Sequence, residues 1–414
     1  MRPGRIQEGS DVKIASADVV ISSPGRNFVT LVLKTDDGLV GLGDATVNGR
    51  ELAVASYLRD HVAPILIGRD AHAIEDTWQY LYRGAYWRRG PITMAAIAAV
   101  DVALWDLKAQ AAGLPLYQIL GGRSRNAIRA YGHAYGTDLD ELTDSVRALL
   151  EQGFGAVRVQ VSTPGIGGGY GVAEAGDGGY EPARGQRPVE EPFDPGRYVR
   201  SVPAMFDKLR NTFGPELDLL HDVHHRLTPI QAARLGKSLE GYAPYWLEDV
   251  SPAENQAALR LVRQHTTVPL ATGETFNSVF DYLQLFADQS IDYVRSSVTH
   301  AGGITGLRRI LDMAAVGQVK SAIHGPTDVS PVGLAAALHL DLALHNFGIQ
   351  EFMQHVDLTF EVFDVGYSFA NGYFQPGERP GLGVSLDARA AERFPYRAAY
   401  LPVGRLLDGT VHDW

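Results

Sequence analysis

From residue 128 onwards, short apolar runs alternate with stretches of helical period. The runs are IRAYGHA, AVRVQV, LDLLHDV, YWLEDV, PLATGE, IDYVRSSV, VKSAIHG and NFGIQEF. Such runs, separated by helical segments like the one at about Asp140 to Gln152, predict parallel strands alternating with helices. Eight such runs are what a closed parallel barrel needs. The N-terminal third has another rhythm. KIASADVVIS and NFVTLVLKT alternate, or run apolar and β-branched, and predict two strands between Lys13 and Val40. Asp37-Gly38 makes the turn after the second. Helices are predicted over about Gly49 to Val62, stopped by Pro64, and over about His72 to Tyr82. A third, TMAAIAAVDVALWDLKAQAAG, is apolar on more than one face and must be buried. Gly113 and Pro115 end it. The expected fold class is α/β: a TIM-type barrel of seven to eight β/α units preceded by an α+β domain. The expected segments are a disordered leader over 1–12, the α+β domain over 13–127, the barrel over 128–375 and an irregular tail over 376–414.

Composition narrows the function. A chain of 414 residues with 45% hydrophobics suits a barrel plus an accessory domain. The net charge of −11 and the lack of a long Lys/Arg run argue against nucleic acid or an anionic membrane as partner. With no cysteine, disulfides and thiolate metal sites are excluded. The N-terminus has no apolar h-region, and no apolar run reaches the length of a membrane span, so a cytoplasmic protein is expected. Several motifs fail: Gly236-Lys237-Ser238 lacks the leading glycine of a P-loop, since position 231 is Gln. GIGGGYG does not fit a dinucleotide fingerprint, and neither G-x-S-x-G nor H-E-x-x-H occurs. One connection is abnormal. Residues 162–192 hold nine glycines and four prolines and follow a strand end, where such a length predicts a lid.

The chemistry gathers at strand ends. LDLLHDV, YWLEDV and PLATGE carry Asp222, Glu248 and Glu274, each 26 residues after the last. That spacing is one β/α unit, so the three carboxylates fall at one end of neighbouring strands, the catalytic end of such a barrel. Packed together they repel unless a cation holds them, and oxygen ligands alone favour a hard ion such as Mg²⁺. Scattered surface acids would not keep this period. Asp222 and His224 form D-x-H, and Arg158 and Gln160 form R-x-Q, each pair expected on one side of its strand. Tyr170 lies in the glycine-rich connection, Arg295 in strand six, His324 at the end of strand seven and Glu351 at the end of strand eight. A single buried His is usually structural; titratable groups recurring on one face point to chemistry.

With these residues in place the chain resembles the enolase superfamily from Lys13 to Trp414. R-x-Q, Tyr170 in a long loop and D-x-H are similar to its mannonate dehydratase subgroup, as are SPGRNFV, GDATVNGRE, YRGAYWRRGPITMAAIAAVD, HGPTDVSP, NFGIQE and the C-terminal Trp. The resemblance implies that the α+β domain caps the barrel and that a sugar acid presents its carboxylate to Mg²⁺ while the α-proton leaves. It implies Tyr170 as general base, with Arg158 favouring its phenolate, and His224 as the acid that protonates the departing 3-hydroxyl. It places Asn48, His133, Arg295, His324, Glu351 and Trp414 in the substrate pocket, Asn48 from the cap and Trp414 from the tail. D-mannonate would yield 2-keto-3-deoxy-D-gluconate; D-gluconate and a weakly active, regulatory sugar-acid binder are the alternatives. A homo-oligomer, a dimer-based tetramer or octamer, is also implied. Two positions depart from the pattern. Ser297 stands where many superfamily members pair an Asp with the strand-seven His, and Pro326 follows His324-Gly325, where it can redirect that imidazole.

Overall fold

The computed structural model describes residues 12–166, 183–184 and 190–413. Tyr170, Trp414 and most of the 162–192 connection lie outside the described residues. All eight apolar runs form strands: Ile128–Gly136, Ala156–Val161, Asp218–Asp222, Trp246–Glu248, Leu270–Thr272, Tyr293–Val294, Lys320–Ser321 and Gln350–Glu351. The first seven pair in chain order, all parallel. The eighth pairs with the first, and a parallel bridge between Ser321 and Phe347 links it to the seventh. The barrel is thus closed, and its helices pack outside.

Each strand sends one buried side chain to a common inner layer: Tyr131, Ala156, Leu220, Trp246, Ala271, Tyr293, Ala322 and Ile349. Three alanines stand among five bulky residues, so rings and methyls interlock and the barrel is plugged rather than hollow. Because strand side chains alternate, the next inward layer lies two residues on. There stand His133, Arg158, Asp222, Glu248, Gly273, Arg295, His324 and Glu351. Every one but the glycine carries a polar or charged head, so the polar site rests directly on the apolar plug.

The cap holds three antiparallel strands, Ile14–Ser22, Phe28–Thr35 and Val40–Asp44, not the two expected. Gly41 and Gly43 disguise the third, because they read as turn residues. In the fold they let helix Pro91–Ala111 lie against the sheet: a Cβ on Gly43 would fall onto the carbonyl of Ala99, and one on Gly41 onto that of Ala103. Gly43→Ala therefore has to push the helix off the sheet. It should cost about 1–3 kcal/mol, read as a lower midpoint in urea denaturation; an unchanged midpoint would show that the contact gives way freely. Pro64 does not stop the preceding helix. Glu51–Tyr57 passes into a wide π turn at Leu58–Val62 and on to Ala63–Leu66, where Pro64 occupies the opening turn and its missing N–H costs nothing.

Three buried aspartates tie the cap to the rest. Asp44 accepts from the backbone N–H of Ser330 at 2.7 Å, and Asp101 from that of Thr305 at 2.9 Å. Asp106 accepts from Leu42 at 3.1 Å and Leu382 at 2.8 Å. The tail returns to the cap, where the side chain of Asn27 donates to Arg397 O at 2.7 Å. Its strands Ala399–Tyr400 and Val403–Leu406 pair with Ala183–Arg184 and Glu190–Phe193 of the long connection. Among the described residues no helix is long and apolar enough to cross a membrane.

Candidate active site

Asp222, Glu248 and Glu274 converge at the carboxyl ends of strands three to five. One oxygen from each lies within 4.8 Å of the others. Asp222 and Glu248 are wholly buried, Glu274 partly exposed. Each is fixed by a donor of its own. Asp222 Oδ2 accepts from Arg158 Nη1 at 2.8 Å. Glu248 accepts from Arg295 Nε at 2.5 Å and Trp246 Nε1 at 3.1 Å. Glu274 faces His324 Nε2 at 3.2 Å. Burial pushes Asp222 up to about 7 and Glu248 to about 8 against the opposing Arg158 and Arg295, and the neighbouring carboxylates add to the rise. Two acids that keep their protons this strongly leave the site short of positive charge, while His324 outweighs burial at the third and holds Glu274 down to about 2. Three oxygen ligands with room for a cation between them fit Mg²⁺.

Arg158 also donates to Gln160 Oε1 at 3.1 Å, so R-x-Q shares one side of its strand. D-x-H comes together by another route than strand alternation. The strand ends at Asp222, and His224 and His225 take the left-handed region at φ 51° and 61°. This turn folds His224 back: its N–H donates to Asp222 Oδ1 at 2.8 Å, and its Nε2 lies 3.0 Å from Oδ2. Asp249, at φ 40°, makes a like turn after Glu248. Such backbone strain in residues with side chains concentrates at functional sites. Burial, with Arg158, Arg226 and His225, holds the His224 imidazole well below its usual range.

Arg295 has no exposed surface. It spans Glu248 and Glu351, with Nη2 2.6 Å from Glu351 Oε2, and its Nη1 donates to Ala322 O at 2.7 Å. Its guanidinium lies over the rings of Tyr131 and Trp246 in the plug. Among the described residues it is thus the floor of the site. His133 Nε2 lies 3.0 Å from Glu351 Oε1. His324 is pushed up to about 9, since Glu351 and Glu274 outweigh its burial. Its partner is Glu274, while Ser297 Oγ accepts from the backbone of Thr299. Asn48 is half-buried at the cap rim, in a cleft shared with Arg26 and Asp328.

Four residues of this region escaped the sequence reading: Tyr135, His225, Asp249 and Asp328. Tyr135 was signalled by H-x-Y on strand one, and its hydroxyl sits 2.9 Å from His133 Nδ1. His225 and Asp249 pair at 3.5 Å. They directly follow His224 and Glu248 and reach the site only because of the left-handed turns.

Residues 141–391 match the family model for enolase C-terminal domain-like proteins, and residues 13–121 that for the N-terminal domain of mandelate racemase and muconate lactonizing enzyme. The chain belongs to the enolase superfamily. Its superfamily relatives include a "D-galactonate dehydratase family member" of Pseudarthrobacter chlorophenolicus, 60% identical over 97% of this chain and all of that one. A "D-mannonate dehydratase" of Rhizorhabdus wittichii is 58% identical over the same shares. Among solved superfamily structures, an enolase from Pantoea ananatis with bound D-gluconate and Mg matches with a TM-score of 0.90 and 37% identity, over 97% of this chain and all of that one. With relatives this close and complete, the chain is an enzyme of the hydro-lyase class.

Proposed function

We propose that this chain is a Mg²⁺-dependent sugar-acid dehydratase converting D-mannonate to 2-keto-3-deoxy-D-gluconate. The observation that supports it most is the joining of three cation-seeking carboxylates to Arg158 and His224 through one residue, Asp222. Asp222, Glu248 and Glu274 would hold Mg²⁺, which when bound supplies positive charge opposite the substrate carboxylate and acidifies the neighbouring C–H. The chain's own groups handle the protons. Tyr170 takes the proton from C2, with the Arg158 cation favouring its phenolate. His224 protonates the 3-hydroxyl as its C–O bond breaks. Water leaves, and the enol product tautomerises to the ketone. His324, Glu351, His133 and Asn48 hold the sugar hydroxyls, Arg295 holds Glu248 and Glu351 in place, and the resemblance assigns Trp414 to the same pocket.

D-gluconate is the second reading. A relative at 37% identity is described with that acid bound, and Pro326 sits beside His324, where a small change in aim alters which C2 epimer fits. Incubating the protein with Mg²⁺ and, separately, D-mannonate, D-gluconate and D-galactonate tests the proposal. Formation of the 2-keto-3-deoxy acid, abolished by EDTA, is the expected result; no product from any acid sinks it. Tyr170→Phe should lose about 10²–10⁴-fold in kcat, the usual contribution of a positioned base, while still binding Mg²⁺. Full turnover in that variant would remove Tyr170 as base.

A further inference from the structure

Strand one carries a third polar position above the plug. Tyr131 is in the plug and His133 in the polar layer, so Tyr135 is the next inward residue. Its hydroxyl lies 2.9 Å from His133 Nδ1, and the buried Arg158 cation lies close enough to act on the same phenol. With His133, Tyr135 also lines a cleft of about 280 Å³ shared with Arg26, Thr327 and His355.

The direction of each proton follows from what the partners can do. Glu351 is held ionised: burial opposes this, but Arg295, His324 and His133 outweigh it. An ionised carboxylate only accepts. His133 is neutral, because burial and Arg158 push it down to about 4. It therefore carries one ring proton. A bare Nε2 lone pair 3.0 Å from Glu351 Oε1 would be repelled, so the proton belongs on Nε2, although the N–H is not aimed straight at that oxygen. Nδ1 must then accept, and the Tyr135 O–H is the donor that reaches it. Burial also raises the Tyr135 pKa, which keeps the donor proton in place.

We infer that Tyr135 is a positioning residue of this site: its hydroxyl donates to His133 Nδ1 and fixes the Nε2–H tautomer of His133. The polar wall at strand one then has a single direction, from Tyr135 through His133 to Glu351. What His133 does with its fixed donor rests on the sugar-acid reading above; the tautomer itself does not.

The test uses the full-length protein labelled with ¹⁵N-histidine. The His133 signal is identified by its loss in His133→Gln, and the tautomer is read from which ring nitrogen is protonated. The wild type should show Nε2–H alone. Tyr135→Phe should give a mixture or the Nδ1–H form, with kcat/KM lowered about 10-fold, the scale of one lost hydrogen bond inside a site. Protection from unfolding by Mg²⁺ should persist in that variant. Tyr135→Gln, whose amide can donate to Nδ1, should recover the Nε2–H form and part of the activity, and serves if the phenylalanine variant folds poorly. An Nδ1–H wild type, or an unchanged tautomer in Tyr135→Phe, overturns the inference. If no sugar acid turns over, the tautomer still answers, so loss of the functional reading and loss of this inference are told apart.

Discussion

Replacing Arg295 with methionine will lower the unfolding free energy by about 3–5 kcal/mol, the cost of stranding buried charge, and turnover will fall with it. The side chain has no exposure and holds two carboxylates at once, Glu248 at 2.5 Å and Glu351 at 2.6 Å. Methionine fills much of the volume above Tyr131 and Trp246 but donates nothing, so Glu351 must take up a proton, Glu248 must keep its own, or both must move. Arg295→Lys is expected to recover only part of the loss, because one ammonium cannot reproduce the fork that spans both acids and Ala322 O. Mg²⁺ should protect the methionine variant more than the wild type, since a cation beside Glu248 replaces part of the missing charge. Urea denaturation with and without Mg²⁺ decides the matter; an unchanged midpoint would mean that Glu248 and Glu351 do not depend on Arg295.

Glu248→Gln will weaken Mg²⁺ binding by at least about 100-fold, more than the loss from disturbing a ligand's support, and turnover will drop by about 10³-fold, as when a charge-stabilising group is removed. The wild type adds a pH signature. In the metal-free protein burial pushes Asp222 up to about 7 and Glu248 to about 8, whereas in the unfolded chain both ionise near pH 4. At these two groups the folded state binds more protons, so their contribution to stability is full below about pH 4 and is lost as pH rises to about 8; Glu274, held down to about 2 by His324, contributes in the opposite sense. Mg²⁺ must displace those protons. Its binding should tighten between about pH 6 and 8.5 and release protons on titration. Calorimetry in two buffers of different ionisation enthalpy measures that release. A flat pH profile in the wild type would show that these acids are already ionised without metal.

The eight barrel strands are legible in the sequence because strands buried on both faces must be apolar throughout, and the acids are legible because a barrel unit has a nearly fixed length. Counting by twos from Tyr131, Trp246 or Ile349 even locates the polar layer. Other features are set by packing that no local pattern encodes. The third cap strand hides behind Gly41 and Gly43, which serve a helix more than 50 residues away in sequence. Pro64 reads as a stop, yet a π turn absorbs it. Arg295 could have faced a ligand or two acids, and only its neighbours on strands four and eight settle which. His224, His225 and Asp249 lie past their strand ends in left-handed turns, where alternation no longer tells direction. Tyr135 was within reach of the same counting by twos.

The ties that leave the cap, from Asp44 to Ser330, Asp101 to Thr305 and Asp106 to Leu382, each end on a main-chain N–H group. A main-chain donor is supplied by any residue except proline. The cap thus stays seated whatever side chains occupy the barrel and tail positions at the other end of each tie. Three acids on one domain free their partners to drift in sequence, and loops that choose among sugar acids can be exchanged over generations without unfastening the lid that shelters them.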